Sequence, residues 1–271
     1  ILAWAVRLWP FLLVLVGLGV LLGRGSRWWR GVAMALAVLL GLVAVGFLNQ
    51  GKLPGAATET RTQRFEKTLG SLKDAEVRLA LSAGELMVQA LPSFSGLLAE
   101  AQFSYRTGQK EPTTEYREVD GRGILQITSL EGARSFMVSG RDESWTVGLT
   151  SRVPVHLIIE GGAMTGRLDL ADARLSKLDL NVGASKLDVR LPREVGRNLV
   201  VAIKAGTSGI TLDIPKNVEA RVKTNLGLAS LSIDGERFQK RNGFYVSRNY
   251  ESAQDRVDLD IDAGVSQVTV R

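Results

Sequence analysis

A membrane α-helical hairpin followed by an all-β domain of stacked repeats, a β-solenoid or toast-rack-like stack with a period of about 21–23 residues, is the architecture this sequence predicts. Three observations predict it. Two apolar stretches precede residue 50, apolar residues fall at every second position in runs of four to seven from about Ala75 onward, and a glycine-centred phrase recurs at spacings of 21, 23 and 21 residues. The expected boundaries are 1–48 for the hairpin, 49–73 for a linker and 74–271 for the β-repeat domain.

The first 50 residues carry four Arg and no acidic residue, whereas all 28 Asp and Glu lie beyond them. This divides the chain into a lipid-facing part and a water-facing part. Beyond residue 50 there are 30 Lys and Arg against those 28 acids, so the basic balance gives no support to nucleic-acid binding. The chain has no cysteine, which excludes disulfides, thiolate metal sites and cysteine nucleophiles.

Ile1–Gly23 and Gly31–Leu48 each have the roughly 17–25 residues a helix needs to cross hydrocarbon. Two consecutive spans do not fit a cleaved signal peptide, which has one apolar core. Trp4 and Trp9 at one end, and Trp28 and Trp29 in the turn, would mark the interfaces. Gly19 and Gly23 on the first span, and Ala33, Ala37 and Gly41 on the second, have the small-residue spacing that lets helices approach closely. That face either closes the hairpin on itself or meets a partner. Arg24, Arg27 and Arg30 argue for a cytoplasmic turn, which puts the C-terminal domain outside the cytoplasm, while Lys52, Arg61, Arg64 and Lys67 pull the other way. Residues Asn49–Gln63, polar and punctuated by Gly and Pro, read as linker.

Alternation with period two is the mark of strands with one buried face. It picks out Val77–Leu81, Leu86–Ala90, Ile124–Thr128, Phe136–Ser139, Trp145–Leu149, Val155–Ile159 and Arg167–Leu170, with one or two helical turns as an option for Phe94–Ala101. The repeat is plainest in "SKLDLNVGASKLDVRLP" (Ser176–Pro192), and its turn glycines are Gly162, Gly183, Gly206, Gly227 and Gly264, with Gly84 in an outlying copy. A unit of this length cannot bury its own apolar face, so neighbours must stack. Leu178, Leu180, Leu187, Val189 and Leu191 are expected inside, with Val201, Ile203, Ile210, Leu212 and Ile214 one layer along. Glycine suits the turn if the backbone there takes positive φ, and prolines such as Pro92, Pro192 and Pro215 suit the far corner.

These residues resemble a known family. "RLWPFLLVLVGLGVLL" looks like the transmembrane region of LiaI/LiaF-like bacterial membrane proteins, and "WTVGLTSRVPVHLIIEGGAMTGRLDLADARLSKLDLNVGASKLDVRLP" is similar to the toast-rack, DUF4097-type β-repeat domain that follows it. The resemblance implies a cell-wall-active antibiotic-response or envelope-stress protein, some relatives acting on a membrane histidine kinase, and it brings no catalytic motif. "GAMTG" and "GASK" depart from the plainer Gly-Ala-Gly turns, and two spans stand where relatives often have four.

Candidate chemistry is sparse. His156, the single histidine, falls on the outward side of its strand with no partner legible for acid–base work. Asp169, Asp179, Asp188, Asp213, Asp258, Asp260 and Asp262 alternate with basic residues, which reads as a solvated, charge-mixed face rather than a cation site. No phosphate-cradling loop, metal-spacing cluster or nucleophile elbow appears, so neither an enzymatic activity nor a cofactor is expected. The long insertion Gly235–Arg256 holds Phe238, Lys240, Arg241, Phe244, Tyr245, Arg248 and Tyr250. Asn242–Gly243 marks a hairpin there, and the aromatics either cap the open end of the stack or form an interaction surface.

The function expected is a non-enzymatic protein of the bacterial cytoplasmic membrane, multi-pass, whose extracytoplasmic domain binds an envelope component or partner protein. Membrane lipid, a sensor kinase and a second copy of the chain are the candidate partners. The alternative is a structural subunit of a larger membrane complex or a self-assembling scaffold.

Overall fold

Every described element of this chain is a strand, because every apolar run in it repeats at two residues rather than 3.6. The structure is a computed structural model and describes residues 59–107, 111–129, 143–196 and 198–271. The expected hairpin 1–48 with its packing residues Gly19, Gly23, Ala33, Ala37 and Gly41, and the strand Phe136–Ser139, lie outside the described residues. Among those described, no helix is long and apolar enough to cross a membrane.

The strands are β1 Thr60–Thr68, β2 Asp74–Ala90, β3 Leu97–Arg106, β4 Thr113–Val119, β5 Arg122–Ser129, β6 Ser144–Leu149, β7 Val155–Asp169 and β8 Leu175–Arg190. They continue as β9 Asn198–Asp213, β10 Glu219–Leu226, β11 Ser230–Ile233, β12 Phe238–Arg241, β13 Phe244–Ser247, β14 Arg256–Ala263 and β15 Gln267–Val270. The body is a parallel stack in which β2, β7, β8 and β9 each form a whole layer, and β5 with β6, β14 with β15 and β10 with β11 form the others.

Each long strand folds over an edge at its glycine. In β8, Leu178, Leu180 and Val182 are buried before Gly183, and Ser185, Leu187 and Val189 after it, so the alternation slips by one residue across exposed Gly183 and Ala184. One strand therefore serves two walls around one core. The ten residues expected inside the layers of β8 and β9 are all buried.

The reason for glycine at the edge differs from the expectation. Positive φ occurs at Gly84 in this series but not at Gly162, Gly183, Gly206, Gly227 or Gly264. The edges are instead stacked backbone on backbone. A Cβ on Gly183 would lie 2.7 Å from the carbonyl oxygen of Gly162, one on Gly206 3.0 Å from that of Gly183, and one on Gly264 3.0 Å from that of Gly206. Layers at ordinary strand spacing, about 4.8 Å, leave no room for a side chain that points along the stack.

Just inside this edge runs a serine ladder. The Ser208 hydroxyl donates to Gly183 O at 3.1 Å and accepts from the Ser185 amide at 3.3 Å. The Ser266 hydroxyl donates to Gly206 O at 3.0 Å and accepts from the Ser208 amide at 3.1 Å. Small hydroxyl residues satisfy backbone groups where the strand bends. The ladder stops at Met164, and the buried Ser185 Oγ is left unpaired.

Chain order is not stacking order. The last repeat in sequence, β14–β15, threads between β9 and the β10–β11 layer, and the first whole repeat, β2, lies between β7 and the β5–β6 layer. Antiparallel strands then cover both ends: β4 on β5, β3 and β1 beyond β6, and the β12–β13 hairpin on β10.

Two expectations are overturned here. Residues 60–68 of the expected linker form β1, an edge strand whose one partly buried apolar residue, Phe65, leaves no periodic signal. Phe94–Ala101 is not helical; Phe94 stands 89% exposed and the chain enters β3 at Leu97. At this end Phe103 and Trp145 meet edge to face at 5.2 Å within the core.

Candidate functional site

The insertion builds the C-terminal cap. β12 and β13 join through Asn242 (φ 48°) and Gly243 (φ 83°), the positive-φ pair a two-residue hairpin demands. β13 then pairs antiparallel with β10, opposing Val222 to Tyr245 and Lys223 to Phe244. Of the seven residues singled out here, Phe238 is 3% exposed within the core and Tyr250 5%, Tyr245 packs half-buried against the core, and Phe244 is half-buried. Lys240, Arg241 and Arg248 are exposed. The aromatics thus largely serve the cap, and the cations face solvent.

A polar knot ties the cap to the stack. Asp258 accepts from the Tyr250 hydroxyl at 2.6 Å, from Arg221 at 2.9 Å and from Asn198 Nδ2 at 2.8 Å, joining three layers through one carboxylate. Burial pushes the Tyr250 hydroxyl up, and its bond to Asp258 adds to this, so its pKa is about 12. Burial raises the Asp258 carboxyl, but the Tyr250, Asn198 and Arg221 contacts outweigh it and hold it below the usual carboxylate range. Arg221 also lies over the rings of Tyr250 and Phe244, at 5.1 and 5.7 Å.

Arg237 is the site residue the sequence did not reveal. Its guanidinium donates to the carbonyls of Ile214, Pro215 and Val218, tying the corner loop after β9 to the loop before β12. Its signal is weak, since an arginine in a polar turn looks like any solvated cation. Beside it lies a cleft of about 540 Å³ with Arg190, Arg193, Lys216 and Arg271 on its walls. Most of that charge is already answered, Arg190 by Asp169, Arg193 by Asp172 and Arg271 by Asp213.

His156 faces outward as expected but has partners the sequence hid. Parallel register sets Glu76, His156 and Lys177 side by side on β2, β7 and β8. Nε2 lies 2.6 Å from Asp179 and Nδ1 3.7 Å from Glu76, with the ring side chain 19% exposed. Lys177 also holds Asp179, at 2.8 Å, and Arg122 holds Glu76, at 3.2 Å. Burial raises the Asp179 carboxyl, yet Lys177 and His156 together keep it below its ordinary value. Both ring nitrogens being turned to carboxylates, the arrangement is a polar bridge across three layers. Of the other outward aspartates, Asp169 pairs with Arg190, Asp260 with Lys223 and Asp213 with Arg271. Among the described residues no group of three or more His, Asp or Glu is placed to hold a metal ion.

A family model described as the N-terminal domain of toast_rack, DUF2154, matches residues 54–213, more than half of the chain. The chain belongs to this toast-rack family. The match ends with β9, so the last two toast-rack layers and the hairpin lie beyond it. The crystal structure of a "putative cell adhesion protein" from Clostridium sporogenes is similar, with a TM-score of 0.70, 21% identity and coverage of 78% of this chain and 99% of its own. At that identity the likeness is one of fold. A "putative adhesin" from Bacteroides fragilis aligns over 80% of this chain and 99% of its own at 8% identity, but with a TM-score of 0.31, too low to inform the fold. A search of curated proteins finds no significant match.

Proposed function

We propose that this toast-rack protein is a non-enzymatic, membrane-anchored bacterial protein whose rack stands outside the cytoplasm and binds another component of the envelope. One observation carries the reading: His156 sits between two carboxylates, and Asp169, Asp213, Asp258 and Asp260 are each paired with a basic residue of a neighbouring layer, which leaves the surface of the rack as its working part. The apolar spans and the arginine-rich turn Arg24–Arg30 support the anchor and its orientation. The resemblance to LiaF-like proteins supports a role in modulating an envelope-stress response through a membrane partner such as a sensor kinase. Lys240, Arg241 and Arg248, with the half-buried Phe244 and Tyr245, form the interaction surface in this reading.

The deciding experiment adds protease to intact spheroplasts and follows a C-terminal tag. Loss of the tag supports an extracytoplasmic rack. Protection until lysis inverts the topology and makes a cytoplasmic regulatory domain the better reading.

The spacing of Ala33, Ala37 and Gly41 favours a second reading, a structural subunit or scaffold assembled through its membrane helices. Replacing Ala37 and Gly41 with Leu should then shrink the assembly on native gels in mild detergent, and an unchanged size argues against it.

A further inference from the structure

We propose that β11 is a self-pairing edge, at which two copies of this chain join their racks end to end. The β12–β13 hairpin covers the last layer only over Arg221–Lys223 of β10. Among the described residues β11 pairs with β15 on one side and with nothing on the other. The amides of Ser230 and Asp234 bond inward, to Ser266 O and Val270 O. In a parallel ladder alternate residues face the same neighbour, so Ser232 also bonds inward and the N–H and C=O of Leu231 and Ile233 point away from the stack.

What protects other exposed strands is missing here. Lys and Arg on an edge discourage pairing, and β1 carries Arg61, Arg64 and Lys67, β4 Arg117, and β12 Lys240 and Arg241. The sequence of β11, SLSI, has no charge, and its inward residues Leu231 and Ile233 are half-buried. Leu228, at the corner that leads into β11, is 86% exposed.

A second copy fits this edge. With a two-fold axis through Ser232, Leu231 of each copy opposes Ile233 of the other. Those are the residues whose backbone groups face outward, so both pairs close with hydrogen bonds. Their side chains share one face, and the two cores meet without a polar layer. Ser232 opposes its own copy as a non-hydrogen-bonded pair with its side chain on the outer face. A free peptide would close this one edge, whereas a second copy brings an identical uncharged edge and closes both open edges at once. The inference is independent of the side of the membrane on which the rack stands.

Because the chain has no cysteine, the register can be read directly. Cα atoms of a non-hydrogen-bonded antiparallel pair lie about 4.5 Å apart, inside the disulfide range of roughly 4.4–6.8 Å. Ser232→Cys in the full chain, in mild detergent under a mild thiol oxidant, should give a non-reducing band at twice the 29.4 kDa monomer. Ser230→Cys should not, since the same axis sets it on the order of 13 Å along the strand from its copy. No dimer band for Ser232→Cys overturns the proposal. Equal bands at both positions report random collision and overturn it too.

Discussion

Replacing Gly183 with alanine tests the reason the chain puts glycine at its folded edges. The added Cβ would sit 2.7 Å from the carbonyl oxygen of Gly162, where a carbon–oxygen contact of roughly 3.3 Å is normal. The neighbour is backbone locked in a ladder and cannot swing aside, so the layers must part locally by on the order of half an ångström, about a tenth of the strand spacing. Gly183 is not among the positive-φ residues, so alanine meets no conformational penalty and its stiffer unfolded chain returns about 0.4–1 kcal/mol. Overpacking of this kind costs about 1–3 kcal/mol. The net expectation is a loss on the order of 1–2 kcal/mol, or about 2–8 °C in Tm for a domain of this size, read by calorimetry. Gly209→Ala is the control: nothing lies within 4 Å of its added Cβ, so it should melt at or slightly above the parent. If Gly183→Ala melts no lower than Gly209→Ala, the stacking argument is wrong.

Three further outcomes follow from the polar ties. Tyr250→Phe removes one of the bonds to Asp258 and should cost roughly 1–2 kcal/mol. Because the folded Tyr250 pKa is raised to about 12, its contribution is complete below pH 10 and fades as pH rises from there through about 12, so the gap between parent and Phe variant in thermal melts should close over that window. Lys177→Met should lower stability at pH 7 by roughly 0.5–1 kcal/mol. The Asp179 carboxyl is held below its ordinary value, so this difference should persist above that value and vanish as pH falls through the lowered one; a pH-independent gap would assign it to packing instead. Arg237→Met strands three carbonyls and should cost about 2–3 kcal/mol in urea unfolding, with Arg237→Lys recovering a minor part, since one ammonium cannot span all three.

Much of the fold was legible because its rule is local. Period-two alternation marked β2, β5, β6, β7, β8 and β9 before any coordinate, and the residues it placed inside the layers of β8 and β9 are buried. Asn242–Gly243 marks the β12–β13 hairpin, and Asp120–Gly121, likewise both at positive φ, is the equivalent signal for the β4–β5 hairpin. β1 and β3 escaped: "TRTQRFEKT" presents one partly buried apolar residue, and the stretch before β3 opens with an exposed Phe94 that mimics a helical apolar pattern.

The sequence by itself determined that this chain is a stack, because a repeat too short to bury its own face must borrow a neighbour's. It also determined which side chains face inward, since a strand's two faces alternate whatever it pairs with. Tertiary structure alone decided which strands became neighbours, and every interaction between layers depends on that. The threading of β14 between β9 and β10 gave Asp258 its three partners, and the parallel register of β2, β7 and β8 set His156 between Glu76 and Asp179. These contacts join residues up to 80 positions apart in sequence. No local pattern encodes them, because each arises from the pairing of separately specified strands and not from the order in which the chain spells them.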